Sequence, residues 1–120
     1  MGLYQSWKKL VRSKVGPQLE ARGIKVVRSK IADFFGRDRL SREKVFEEAK
    51  EVLEAKTRED LLEEIADLTS WRNTLMGVHK ISEEELAAAM ADKDERKGTT
   101  DQWDYLESTE EPDASDGQQH

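Results

Sequence analysis

Between residues 41 and 76 the chain carries two short acidic signatures, Glu47-Glu48-Ala49-Lys50-Glu51 and Glu64-Ile65-Ala66-Asp67, separated by the twelve residues 52–63. Each is threaded through apolar residues at helical spacing. A helical residue advances by about 100°, so every side chain can be placed on a wheel. Val45, Ala49, Val52 and Leu53 form one apolar arc, with Glu48 on its rim and Glu51 about 60° further out. Leu61, Ile65, Leu68 and Met76 form the second arc; Glu64 falls inside that apolar sector beside Leu68, Trp71 and Leu75, and Asp67 lies about 60° outside it. The pattern predicts an all-α chain built on two helices whose greasy seams are flanked by carboxylates in the same sense.

Packing those seams together brings Glu48, Glu51, Glu64 and Asp67 to one partly desolvated place, where like charges repel and an unpaired carboxylate costs several kcal/mol. A hard divalent ion with oxygen ligands, Mg²⁺ foremost, neutralises such a cluster while leaving room in its shell for water and phosphate oxygens. The plainer alternative is a pair of solvated helix faces, since 38% of the residues are charged. Glu64 favours the ion, because a carboxylate set within an apolar stripe needs a partner.

An apolar content of 36% suffices for a hairpin or a small bundle but is thin for a self-sufficient core, so a homodimer or tetramer sharing one core is expected. The expected organisation is one helical domain over residues 1–103 with a basic N-terminal arm, followed by an acidic disordered tail over 104–120. With no cysteine there is neither a disulfide framework nor a thiolate metal site. No apolar run is long enough to span a bilayer and no signal-peptide pattern is present, so the expectation is a soluble cytoplasmic protein without membrane contact.

The net charge of −6 argues against a nucleic-acid polymer as partner, but residues 1–42 hold eleven Lys or Arg against three Asp or Glu. Lys9, Arg12 and Lys14 on that arm, with Lys93, Arg96 and Lys97 late in the chain, are candidates to hold phosphate, and each reads equally well as ordinary surface charge. Trp71 is a candidate to stack on a base or to fill the core, and Asn73 to bond a base edge or face water. The only histidines are His79 and His120, neither placed three residues after a glutamate on a core helix, which removes a carboxylate di-iron bundle and leaves a Ser-His-Asp nucleophile unsupported.

Helix signals order the chain. Residues 5–15 read as a short helix broken at Gly16-Pro17 and resumed to Arg22, with Gly23 as its cap. Ser29 is placed to cap a short helix through Phe34 and Phe35, with Gly36 to Arg39 as a polar loop. Ser41 is then expected to cap a helix over 41–55, Thr57 one over 57–76 ended by Gly77, and Ser82-Glu-Glu-Glu85 to open a third that closes at Gly98.

With Glu47-Glu48-x-x-Glu51, a spacer and Glu64-x-x-Asp67 in place, the chain resembles the all-α nucleoside triphosphate pyrophosphohydrolases of the MazG-like superfamily, matching their Glu-Glu-x-x-Glu, spacer, Glu-x-x-Asp pattern at every specified position. Lys9-Leu10-Val11-Arg12-Ser13-Lys14 is similar to the Lys-Leu-Val-Arg-Asp-Lys opening of a single-domain house-cleaning branch, and Glu95-Arg96 before Gly98 is similar to that branch's Glu-Arg-Gly-Gly-Phe ending. The segment 43–55 also resembles phosphoribosyl-ATP pyrophosphohydrolases of the same superfamily. Ser13 for Asp, Gly16-Pro17 for Ile/Val-Pro, and Lys97, Thr99 and Thr100 across the ending are departures.

The resemblance, which covers roughly residues 9–98, implies a MazG-like helical bundle completed by a second subunit. It implies Mg²⁺, with Mn²⁺ as a substitute, held by Glu48, Glu51, Glu64 and Asp67, and Glu47 as the catalytic, water-orienting carboxylate. The implied reaction cleaves a nucleoside triphosphate between its α and β phosphates to give a monophosphate and pyrophosphate, in a house-cleaning role on non-standard nucleotides. The alternatives are a phosphoribosyl-ATP pyrophosphohydrolase-like enzyme and a non-catalytic helical nucleotide-binding or interaction module.

Overall fold

A computed structural model describes residues 2–113, and every regular element among them is helical. The helices are α1 (Val15–Ala21), α2 (Phe34–Glu54), α3 (Arg58–Val78) and α4 (Glu83–Lys97). The chain divides into two compact units, Met1–Glu83 and Glu84–His120. Among the described residues no helix is long and apolar enough to cross a membrane.

The first unit is organised by α2 packed against α3. Their connection is short because each end carries its own stop or start signal: α2 closes on the extended residue Ala55, and α3 opens on Thr57, whose hydroxyl accepts from the Asp60 backbone N–H at 3.0 Å. Glu59 and Asp60 in the first turn of α3 complement its N-terminal partial charge. At the far end of the hairpin the His79 ring meets the Asp38 carboxylate at 2.5 Å and packs edge-on against Phe34 at 5.3 Å, tying the end of α3 to the first turns of α2. Asp38 is held below the ordinary carboxylate range by that bond first and by the Arg42 hydrogen bond second.

The hairpin starts earlier than the Ser41 cap signal suggests. Residues 36–39 are helix, not loop, and α2 begins at Phe34 with Asp33 as its cap, the carboxylate accepting from the Gly36 N–H at 2.8 Å. Gly36 permits this because a Cβ there would come within 2.9 Å of both Asp33 and the Ile31 side chain. Ser41 is not a cap but a fully buried helix-interior residue whose hydroxyl donates back to the Arg37 carbonyl. Ion pairs one turn apart, Arg39–Glu43 and Arg42–Asp38, both at 2.9 Å, support the extended helix.

The expected helix over 5–15 does not form. Lys8 has a left-handed φ of 46°, and regular structure starts only at Val15, so Pro17 lies in the first turn of α1, where its missing N–H costs nothing. Three apolar residues, Trp7, Leu10 and Val11, are too few to offset the nucleation cost of so short a helix. Gly23, with φ of 84°, closes α1 as expected.

The seam is also rotated from its expected position. The buried or half-buried residues of α2 are Gly36, Asp38, Leu40, Ser41, Lys44, Val45, Glu47, Glu48 and Val52, and those of α3 include Glu64, Asp67, Leu68, Trp71 and Leu75. Trp71 is the one apolar side chain of the core, 9% exposed, among the described residues. Leu53, which lies about 140° from Glu48 on the wheel, is 84% exposed, and Ile65 and Leu61 are exposed as well. The acids sit at the centre of the contact, and much of the grease faces outward.

The second unit holds most of α4, whose Arg96 and Lys97 complement the C-terminal partial charge before Gly98, at φ of 91°, ends the helix. Beyond it Thr99 and Gln102 both donate to Asp101 and hold its carboxyl low. Residues 104–113 form no helix or strand, and the rest of the expected tail, 114–120, lies outside the described residues.

Candidate metal centre

Three of the four carboxylates singled out in the sequence come together. One oxygen each from Glu48 on α2 and from Glu64 and Asp67 on α3 lie within 4.8 Å of one another. Glu48 is buried and the other two are half-buried. The helical period explains the convergence: Glu64 and Asp67 stand one turn apart on α3, and Glu48 faces them from the middle of α2.

Crowding is visible in the protonation balance. The Glu64 carboxyl is pushed above its ordinary value of 4.5, first by desolvation and then by the charges of Glu51, Glu48, Asp67 and Glu63. Glu51 is exposed on the rim, outside the converging trio, yet it is the leading like-charge influence on Glu64. Both line a shallow cleft with Glu54, Ala55, Lys56 and Asp60.

This donor set suits a hard divalent cation. Trans oxygens in an octahedral shell with bonds of about 2.1 Å stand about 4.2 Å apart, and Ca²⁺ tolerates wider spacing, so oxygens within 4.8 Å need only a small adjustment to share one ion. An all-oxygen, net-negative set gives nothing to an ion that prefers sulfur or imidazole.

The remaining predicted residues are distributed unevenly. Lys9 on the arm reaches the Glu47 carboxylate at 3.3 Å, and Arg12 donates to Asp67 at 2.8 Å, so two of the three arm cations lie against the acids. Lys14 is exposed at the cap of α1. Arg96 on α4 pairs with Asp92 at 2.8 Å, and Lys93 and Lys97 are exposed there. Asn73 accepts from Arg72 at 2.7 and 3.0 Å, and Arg72 also reaches Glu83.

Lys44 is not among the residues expected at the site. Only 6% exposed, it holds its ammonium 2.8 Å from Glu47, 3.4 Å from Glu48 and 5.3 Å from the centre of the Trp71 ring. Trp71 therefore has one face covered by a cation. The hydrogen bond from Lys44 is the first reason the Glu47 carboxyl lies below its ordinary range, with the charges of Lys44 and Lys9 adding to it against the opposing effect of burial. The signal was present in the spacing, since Lys44 stands three and four residues before Glu47 and Glu48.

No family model matches the chain, and neither a curated protein nor a solved structure matches it.

Proposed function

We propose that the chain is a divalent-cation-dependent nucleoside triphosphate pyrophosphohydrolase of MazG-like type, acting between the α and β phosphates. The observation that carries this reading is the convergence of Glu48, Glu64 and Asp67 oxygens from two helices, with the Glu64 carboxyl raised above its ordinary value by desolvation and by its acidic neighbours. In the proposed site those three residues hold Mg²⁺ or Mn²⁺, with Glu51 joining from the rim. The bound ion supplies charge neutralisation at the phosphate oxygens and acidifies water in its shell.

The chain's own groups do the rest. Glu47, held low by the Lys44 hydrogen bond, would accept the proton of the attacking water at a carboxylate oxygen. Lys44 holds Glu47 and Glu48 side by side on one helical turn, and Trp71 fixes Lys44 from the other side. Lys9 and Arg12, which lie at the edge of the acids on Glu47 and Asp67, are the proposed partners of the triphosphate. Lys14, in the same unit as the acids, remains a candidate for the same task.

The working unit is proposed to be at least a homodimer. Phe46 and Leu53 on α2, and Leu62 and Ile65 on α3, are 74%, 84%, 64% and 44% exposed, while Trp71 is the only buried apolar side chain among the described residues. Covering each such side chain gains roughly 1.5–3 kcal/mol, and a second copy presents the same faces in return.

A non-catalytic nucleotide-binding module is the second reading. It is favoured by the internal cations, because Lys9, Lys44 and Arg12 already offset Glu47, Glu48 and Asp67 without an ion. Pyrophosphate release from standard, damaged and phosphoribosyl-ATP substrates, with and without Mg²⁺, separates the two. The enzyme reading expects release that requires Mg²⁺ and disappears in Glu64→Gln; binding of nucleotide with no release across the panel would leave the module reading.

A further inference from the structure

The arm reaches the acids without regular structure of its own. Residues 2–12 form no helix or strand, and two side chains link them to the hairpin: Lys9 to Glu47 and Arg12 to Asp67. Asp67 is one of the three residues whose oxygens converge, so the guanidinium of Arg12 and a divalent ion address the same carboxylate.

The two claims on Asp67 are unequal. The Arg12 and Asp67 side chains are 52% and 31% exposed, and an ion pair so open to solvent is weak and screened by salt. A divalent ion shared by three carboxylates is bound far more strongly, and its double charge repels a guanidinium held a few ångströms away. Arg12 has no helix to anchor it, only the turn in which the Val15 N–H donates to its carbonyl at 3.1 Å. Its five N–H donors, once off Asp67, form a fork suited to phosphate oxygens.

We propose that Arg12 is a metal-released phosphate ligand: it rests on Asp67 while the acidic centre is ion-free, and a divalent cation entering that centre frees it to bind a phosphate of the incoming nucleotide. This rests on the metal-dependent reading above and adds an order of events to it. The cation must load first, and the arm is the internal counter-ion that it displaces. Ion-free protein then offers phosphate little, because its nearest guanidinium is already engaged by a carboxylate.

Calorimetry on the full chain tests this with two probes, Mg²⁺ alone and inorganic triphosphate. Arg12→Gln removes the competitor, so Mg²⁺ affinity rises roughly two- to fivefold at low salt, while triphosphate affinity falls roughly tenfold in the Mg²⁺-loaded protein and is unchanged in the ion-free protein. Arg12→Lys restores part of both effects. Arg22→Gln, the same charge change at the exposed end of α1, separates competition from general electrostatics by leaving both affinities near wild type. Mg²⁺ binding that is unchanged or weaker in Arg12→Gln overturns the displacement while the metal centre stands. Wild-type protein that takes up no Mg²⁺ overturns both.

Discussion

Lys44 and Glu48, one turn apart on α2, are both buried and stand 3.4 Å from each other at the centre of the hairpin contact. A buried cation at that place is unusual enough to have consequences. Removing one member of such a pair strands the other in a low-dielectric setting, which costs more than the pair contributes while intact. Lys44→Met is expected to lower unfolding stability by about 3 kcal/mol in the ion-free protein, as read by urea denaturation. It also withdraws the leading cause of Glu47's low pKa, so the Glu47 carboxyl moves upward. Because Glu47 is depressed in the folded wild type, its contribution to stability is present above its ordinary 4.5 and is lost as pH falls through the folded value. That contribution should shrink in the pH–stability profile of Lys44→Met to the part that Lys9 supplies, and a profile superimposing on wild type would contradict the assignment.

Glu64 runs the other way. Its folded pKa is raised, so its ionised form disfavours the fold above that value, and the penalty is relieved as pH falls toward its ordinary 4.5. Glu64→Gln is therefore expected to raise the melting temperature of ion-free protein at pH 7, with the gain shrinking as the pH approaches 4.5. Under the proposed function the same substitution is also expected to abolish pyrophosphate release. A residue whose replacement stabilises the fold while removing activity is doing work that the fold does not need. Loss of stability at pH 7 would show that Glu64 is well partnered in the ion-free chain.

The outward grease on α2 and α3 sets the expected assembly. Leu53 and Leu62 are 84% and 64% exposed, so Leu53→Lys with Leu62→Lys removes apolar contact area without opening a hole inside the hairpin. Sedimentation at micromolar concentration is expected to give a dimer or tetramer for wild type and a monomer for the double variant. A wild-type monomer would contradict the shared core.

How far these features could be read from residues alone depended on how local their causes are. Thr57, Gly23 and Gly98 act on their own neighbours, so the helix ends they set were legible. Asp33 was not, because its capping role needed Gly36 to be small and the following polar residues to be tied down by Arg39–Glu43 and Asp38–Arg42 pairs. The wheel placed Glu64 correctly in an apolar sector, yet it missed the true seam because Ser41 and Lys44 count as polar until their partners are known. Lys9 and Arg12 meet acids 38 and 55 residues away, a distance over which no spacing rule operates. Their basic character was legible, and their present occupation was not.

The claim on which the rest depends is that Glu48, Glu64 and Asp67 share one cation. Titration of the ion-free protein with Mn²⁺, followed by the loss of the free-ion paramagnetic resonance signal, tests it directly. One tight ion per chain is expected in wild type, and in Glu64→Gln a loss of affinity beyond the roughly 10–100-fold that replacing a hydrogen-bond partner of a ligand costs. Equal Mn²⁺ affinity in the two proteins, or no saturable uptake in wild type, would contradict it.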